Sequence, residues 1–524
     1  MFDKPLGGTE LMYNELMKRL PNAYKERFSI FNYLPYADFS KITIFWNQLS
    51  HDQEAVQWLN DKKNHESIDK FVFVSNWQSE NYRKIFGIAG YKTSVIKNAC
   101  IGTEEVEKQL QLPIKICYTS TPWRGLDVLL DAWKYLEHLP CELHVFSSTK
   151  IYGTEFSKKE EDKYQYLYDK CNTLKNVIYR GSIANEELRA ELPFFDLMAY
   201  PSTFEETSCI SVIEALSAGL RVVCSNIGAL PETTEGWAKL YPFYENKERH
   251  AIEFSKILWT EIENYIRGHY SLELNNQKFL FKNKWSWDYR VHQWKEMMTS
   301  YLISANNFNI RNSWDGQIFR ECYVENEYEI GQLKPDDVVI DLGTHIGSFS
   351  LLAHEKGSRR IYTYEAIEDN YLLAKENLKN TNVELFHLAV WRSDQEPIQL
   401  DFDKNIVDFN TGMGRVIVNK SQDSETIKVN SIQLDTILNN FSDVKLLKID
   451  VEGAEYPILY TSCHLEKIQQ ICGEFHEYED NQINGYNFDR SGLKRFFFDK
   501  GFDTEFKEAS WSNKCGFFKA TKIK

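Results

Sequence analysis

This 524-residue sequence contains no apolar run approaching the ~20 residues that cross a bilayer as a helix. Its first residues carry no apolar signal region, and no internal repeat or low-complexity tract follows. Positive charge is in deficit: 61 Lys and Arg face 76 Asp and Glu, a net charge of −15. Nucleic acid is therefore excluded as a partner, because phosphate backbones need clustered cations, and a polybasic membrane anchor gains no support. Peripheral membrane contact stays open, as does the oligomeric state. The ten cysteines occur singly, without a C-x-x-C pair. Cys117, Cys209, Cys224 and Cys472 sit in apolar runs and read as small buried residues. A reduced, cytoplasmic compartment fits them best.

What is present is an alternation of short apolar runs with amphipathic stretches, the pattern of parallel α/β sheets. Strands are expected at Phe71–Ser75, Thr93–Ile96, Lys115–Thr119, Glu142–Ser147, Asn176–Tyr179 and Arg221–Ser225. The helix Trp285–Ile303 is expected to close this first region, and the polar stretch Ser304–Ser313 is read as the main boundary. A second α/β pattern follows: strand Asp337–Leu342, loop Gly343–Gly347, helix Ser348–Glu355, strand Ile361–Glu365, and later strand Val444–Asp450. The length predicts about three to four ordinary domains.

Residues 205–219 hold the most informative spacing. Glu206 and Glu214 stand around the start of a short apolar helix with seven residues between them. Thr207 and Ser208 are candidate N-caps, and Gly219 is a stop. An acid before a helix N-terminus and another about two turns into it could hold hydroxyls on either side of a bound phosphate. A nucleotide-sugar has that shape. An amphipathic helix with an exposed Glu has the same spacing.

Five segments in order resemble a glycosyltransferase of the GT-B fold, in the retaining family 4. They are Gly7-Gly8-Thr-Glu10, Thr119 to Asp127, Tyr179 to Ile183, Tyr200 to Gly219, and Gly228 to Glu232. The resemblance implies two Rossmann-like lobes: an acceptor lobe at residues 1–112, completed by helix 285–303, and a donor lobe at 113–284. It implies a UDP- or GDP-linked sugar donor and a glycan acceptor. Gly7 and Gly8 let the backbone approach the diphosphate. Arg124 stands where the family usually has Lys, and Ser120 near where it often has Arg, so one expected cation is missing. Glu214 takes the ribose hydroxyls, and Glu206 faces the donor sugar. The amides of Thr207, Ser208, Cys209 and Ile210 meet phosphate and sugar. His51 matches the family's acceptor-lobe histidine. Only Met1 to Leu6 precede the glycine loop, so the acceptor lobe is expected to be reduced or truncated relative to the family.

In the second region, Asp341-Leu-Gly343-Thr-His345-Ile-Gly347 lacks the third glycine of a nicotinamide site. With Glu365 at the next strand end and Leu447 to Glu455 downstream, it resembles the FkbM-like S-adenosylmethionine-dependent methyltransferases. This implies a Rossmann-like class I methyltransferase domain at 304–524. Asp341, Gly343, His345 and Gly347 would shape the methyl-donor site, Glu365 would take the ribose, and Ala389 and Val390 would lie near the adenine. Asp450 and His476 are the candidate bases, His476 because of its ordinary pKa. Asp450, Glu474 and His476 could alternatively bind Mg²⁺, but no metal is expected. The insert Asn405–Glu425 reads as a lid or acceptor loop. The leading expectation is a bifunctional enzyme of glycan assembly. In the alternative, one domain is catalytic and the other is a glycan- or nucleotide-binding lobe.

Overall fold

The computed structural model describes residues 7–104, 106, 108, 110–149, 154–403, 426–478, 481–509 and 512–523. The first six residues and the insert at 405–425 lie outside the described residues, and so do the expectations placed on them. The chain divides into two compact units, Met1–Glu296 and Met297–Lys524.

The first unit holds two parallel sheets. One orders β1 (Phe28–Phe31), β2 (Ile42–Asn47), β3 (Lys70–Phe73) and β4 (Thr93–Val95) as β1-β2-β3-β4. The other contains β5 (Ile114–Thr119), β6 (Cys141–Phe146), β7 (Val177–Gly181), β8 (Leu197–Tyr200), β9 (Arg221–Asn226) and β10 (Lys239–Pro242), ordered β10-β9-β8-β5-β6-β7. Helices cover its central strands, so β8 and β9 read as continuous apolar runs rather than alternating ones. Trp133, Leu129, Leu143, Val222 and Phe254 are fully buried in that core. The apolar run begins at Phe194, but Pro193 sits in a 3₁₀ turn, Leu192–Phe194, and the strand starts only at Leu197.

From β5 the chain winds one way to β6 and β7, then returns to the other side of β5 with β8. The carboxyl ends of β5 and β8 therefore diverge at a topological switch point, where ligands bind in open α/β sheets.

The second unit repeats this logic. Its strands are β11 (Val338–Leu342), β12 (Arg360–Glu365), β13 (Val383–His387), β14 (Ala389–Trp391), β15 (Gln399–Asp403), β16 (Thr426–Gln433), β17 (Leu446–Ile449), β18 (Gln470–His476), β19 (Gln482–Ile483), β20 (Tyr486–Asn487), β21 (Phe502–Ala509) and β22 (Ser512–Lys522). The main sheet is ordered β13-β12-β11-β17-β18-β22-β21, with β22 antiparallel to both its neighbours. This is the expected Rossmann-like α/β architecture. Its switch point lies between β11 and β17. The strands β14, β16 and β15 form a small side sheet.

Candidate functional site

At the first switch point, the loop after β5 meets the loop after β8. Gly125 makes this approach possible: it has φ +100°, and a Cβ there would lie 2.0 Å from the Pro201 carbonyl oxygen. The turn delivers Arg124 to Glu206, whose carboxylate receives Nη1 at 2.6 and 2.9 Å. The Tyr200 hydroxyl donates to the same carboxylate at 2.5 Å. Gly228 closes the far side, where a Cβ would meet the Glu206 backbone at 2.7 Å, and Ala229 N–H donates to the Glu206 carbonyl at 2.7 Å. The buried Glu206 is thus fixed at both its main chain and its side chain.

The helix Ile210–Ser217 follows. Its N-cap is Cys209, with no side-chain cap, which corrects the capping expected of Thr207 and Ser208. Thr207 instead donates to the Gln48 carbonyl at 2.8 Å, tying this loop to the segment that carries His51. The buried Ser208 hydroxyl and His51 Nδ1 have no hydrogen-bond partner among the described residues. Burial pushes the Cys209 thiol up to about 12, so it is neutral. Gly219 takes φ +76° just past the helix, as a stop residue does.

Glu214 is the fifth residue of the helix, little more than one turn in rather than two. It is buried, and burial pushes its carboxyl up to about 7, with Arg189 opposing. Among the described residues none donates a hydrogen bond to that carboxylate. Gly7 caps the helix Gly8–Arg19, and a Cβ on Gly8 would lie 2.9 Å from Ile210 Cδ1. The glycine loop therefore abuts the start of the Glu214 helix. Ser211 donates to the Thr119 carbonyl at 2.6 Å, placing the β5 end and Ser120 beside the same helix start. Glu232 accepts from the Asn76 backbone N–H at 2.8 Å and from Trp77 N–H at 3.2 Å, so it caps the helix Asn76–Phe86.

At the second switch point, Asp341 is fully buried and accepts from Thr344 Oγ1 at 2.8 Å and Ser350 Oγ at 2.7 Å. Gly343, at φ +77°, lies so close to β17 that a Cβ would be 1.9 Å from the Asp450 carbonyl oxygen. Gly347, at φ +96°, packs on Leu378. His345 adopts φ +52°, uncommon for a side-chain-bearing residue, and its N–H donates to Glu365 Oε2 at 2.8 Å. Ile367 N–H donates to the other oxygen at 2.8 Å. Burial pushes the Glu365 carboxyl up to about 7 despite these bonds. Ala389 packs with Ile367 just beyond Glu365, whereas Val390 belongs to the main core with Leu342 and Ile449. Ala389 and Val390 thus pack into different apolar clusters on opposite faces of their strand.

Lys448 was missed among the expected site residues; its signal in the sequence is a lone cation within an apolar strand. Burial would lower its pKa, but Asp341 and Asp450 hold it above the ordinary lysine value. Its ammonium lies 3.3 Å from Asp341 Oδ1 and 3.8 Å from Asp450 Oδ2, and donates to the Gly343 carbonyl at 2.6 Å. Asp450 also accepts from the Tyr328 hydroxyl at 2.8 Å.

His476 lies among carboxylates: Glu452 at 3.4 Å, Glu455 at 3.5 Å and Glu474 at 3.7 Å. Burial would lower its pKa, but these acidic neighbours, Glu455 foremost, push it up to about 11. The ring holds its proton at neutral pH, so the base role expected from its ordinary pKa does not fit. Burial and Asp450 push Glu474 up to about 9. Among the described residues no group of three or more His, Cys, Asp or Glu side chains is arranged to hold a metal ion. Nor is any described helix long and apolar enough to cross a membrane.

Comparison with known proteins agrees with both halves. Residues 116–258 match the family model for glycosyl transferases group 1, and residues 341–504 match that for the methyltransferase FkbM domain. The chain is similar to the O-antigen chain mannosyltransferase B of Escherichia coli, 25% identical over 210 residues, covering 37% of this chain and 53% of that protein. It is similar to the lipopolysaccharide 1,2-N-acetylglucosaminetransferase of Salmonella typhimurium, 22% identical over 188 residues, covering 35% and 46%. The chain thus spans about half the length of the curated relatives it matches. Among solved structures, Anabaena Alr3699/HepE in complex with UDP and glucose aligns with a TM-score of 0.41 and 16% identity, over 57% of this chain and 84% of that one. A glycosyltransferase from Rickettsia africae aligns with a TM-score of 0.40 and 15% identity, over 58% and 84%.

Proposed function

We propose that this chain, in which a group 1 glycosyltransferase region precedes an FkbM methyltransferase domain, modifies a glycan in two steps. The first unit transfers a sugar from a UDP- or GDP-linked donor with retention at the anomeric carbon. The second O-methylates a sugar hydroxyl. The curated relatives are named for O-antigen and lipopolysaccharide transfer, which supports a glycan of that kind as the acceptor.

The observation that carries the first step is Glu214. A buried carboxylate with no donor among the described residues is unusual in a folded protein, and hydroxyl donors from a ligand would satisfy it. Ribose hydroxyls fit that need. The diphosphate then falls at the start of the Glu214 helix, where unpaired N–H groups favour anions. Arg124, held rigidly by Glu206, offsets negative charge as it grows on the leaving diphosphate. Because Glu206 is itself fixed by Arg124 and Tyr200, its role is to place the cation and the sugar.

For the second step, the residues present fit S-adenosylmethionine: glycines 343 and 347 let the loop after β11 turn tightly against Asp450 and Leu378, and Glu365 retains acceptor capacity beside Ala389. When bound, that cofactor supplies an electrophilic methyl group. Asp450, at the edge of β17, accepts the proton from the acceptor hydroxyl. His476 serves as a fixed positive charge that gathers Glu452, Glu455 and Glu474 beside it.

A released-nucleotide assay across UDP- and GDP-sugars and a radiolabelled methyl-transfer assay test the reading on the full chain. Glu206→Gln should abolish sugar transfer and leave methyl transfer intact, and Glu365→Gln should do the reverse. The reading fails if the unsubstituted chain shows neither activity, or if one substitution removes both while the fold is retained.

A further inference from the structure

Glu365 offers its two oxygens in directions that other residues determine. One oxygen is engaged by His345 N–H and the other by Ile367 N–H, with Asn370 Nδ2 at 3.5 Å from the latter. An ionised carboxylate has about four acceptor sites, so with these three donors in place at least one remains for a ligand. Where it points depends on how His345 and Asn370 are held.

A single guanidinium holds both. Arg311 Nη2 donates to Asn370 Oδ1 at 2.9 Å and lies 3.3 Å from His345 Nε2. Burial pushes the His345 imidazole down to about 4, so the ring is neutral and Nε2 can accept. Arg311 is in turn clamped by the fully buried Asp315, through Nε at 2.9 Å, Nη2 at 3.0 Å and its own backbone N–H at 2.8 Å. Asn312 caps the helix Ser313–Phe319 by accepting from Asp315 N–H at 3.0 Å, which sets the height of that clamp. Arg311 belongs to a stretch that reads as a polar linker in the sequence. In the fold it packs against the glycine loop, and Asn309 N–H donates to Asn377 Oδ1 at 2.7 Å just before it.

We propose that Arg311 is a positioning residue of the methyl-donor site: acting through His345 and Asn370, it aims Glu365 at the ribose hydroxyls. This rests on Glu365 being the acceptor of those hydroxyls. Asp315 belongs to the same device, since it fixes the plane of the guanidinium. Lysine cannot replace the fork, because one ammonium cannot hold Asp315 in two places while reaching both His345 and Asn370.

The test is calorimetry on the full chain with S-adenosylhomocysteine and with its 2′,3′-dideoxy analogue. The unsubstituted chain should prefer the natural ligand. Arg311→Lys should weaken S-adenosylhomocysteine about tenfold, the loss of a charge-assisted hydrogen-bond arrangement, and the dideoxy analogue less than about twofold. The preference between them then collapses, and the KM for S-adenosylmethionine rises with kcat little changed. Asn370→Ala gives a second reading of the same ratio if Arg311→Lys does not fold. An unchanged ratio in the folded variants, or an equal loss for both ligands, overturns the proposal. If the unsubstituted chain binds both ligands equally or neither, the Glu365 reading itself has failed, and Arg311 loses its target.

Discussion

Replacing Glu214 by Gln should make the first unit more stable and a poorer binder at once. Burial pushes this carboxyl from an ordinary value of 4.5 up to about 7. Between those values the folded chain holds a proton that the unfolded chain has already released. Stability from this group therefore falls as pH rises from 4.5, and the loss is complete above about 7. A shift of about 2.5 units corresponds to about 3 kcal/mol at about 1.4 kcal/mol per unit. Glutamine does not ionise and escapes that loss. At pH 8 Glu214→Gln should melt above the unsubstituted chain, by the equivalent of up to about 3 kcal/mol, and the gap should narrow towards pH 4.5. Donor binding should move the other way. The ionised fraction of a group with a pKa near 7 rises from about 0.1 at pH 6 to about 0.9 at pH 8, so affinity should grow about tenfold across that range. In Glu214→Gln it should be weaker and flat with pH. The titration needs an intact nucleotide-sugar, whose diphosphate diester does not ionise there, rather than a free nucleoside diphosphate, which does. A variant that melts no higher at pH 8 and binds the donor with unchanged pH dependence would refute the reasoning.

The other expectations concern geometry and charge. Gly125→Ala forces a Cβ onto the Pro201 carbonyl at φ +100°, so it should lower the melting temperature, by roughly 1–3 kcal/mol of strain, and displace Arg124, with loss of sugar transfer in the released-nucleotide assay. Arg124→Lys removes the guanidinium Nη1 that makes both contacts to Glu206 and should lower kcat for sugar transfer about tenfold or more; a variant within twofold of the unsubstituted rate would show that the guanidinium is dispensable. His476, with a pKa raised to about 11, contributes stability that is fully present below its ordinary value near 6.5 and is lost as pH rises towards 11. The destabilisation by His476→Gln, read by thermal melts, should accordingly be largest at pH 6 and shrink in alkali. The methyl-transfer rate should show no transition belonging to this imidazole between pH 6 and 8, and histidine NMR titration would reveal one if the ring were free.

Much of the site was legible because its glycines mark places where backbones must touch. Gly343 and Gly347 signal a tight loop after a strand, and the structure finds Gly343 against Asp450. Gly228 signals a turn, and it packs on the Glu206 backbone. The capping of the Glu214 helix was misread because Thr207 has a stronger claim elsewhere, on the Gln48 carbonyl in the other sheet's loop. The base role of His476 was misread for a related reason. Its pKa is set by Glu452 and Glu455, which arrive from the loop after β17 rather than from its own strand.

By itself the sequence determined the two α/β patterns, the strand ends that carry Glu206, Asp341, Glu365 and Asp450, and the glycine loops beside them. These are local properties: an apolar run bounded by turn residues, and a backbone position that excludes a Cβ. Only the tertiary structure decided which charges face one another. Arg124 and Glu206 are 82 positions apart, and Arg311 reaches His345 from 34 positions away. No periodicity encodes such pairs, because they arise where strand order reverses and two distant loops share one sheet edge. The same reversal leaves Glu214 buried with no donor among the described residues, the condition from which the proposed donor site follows.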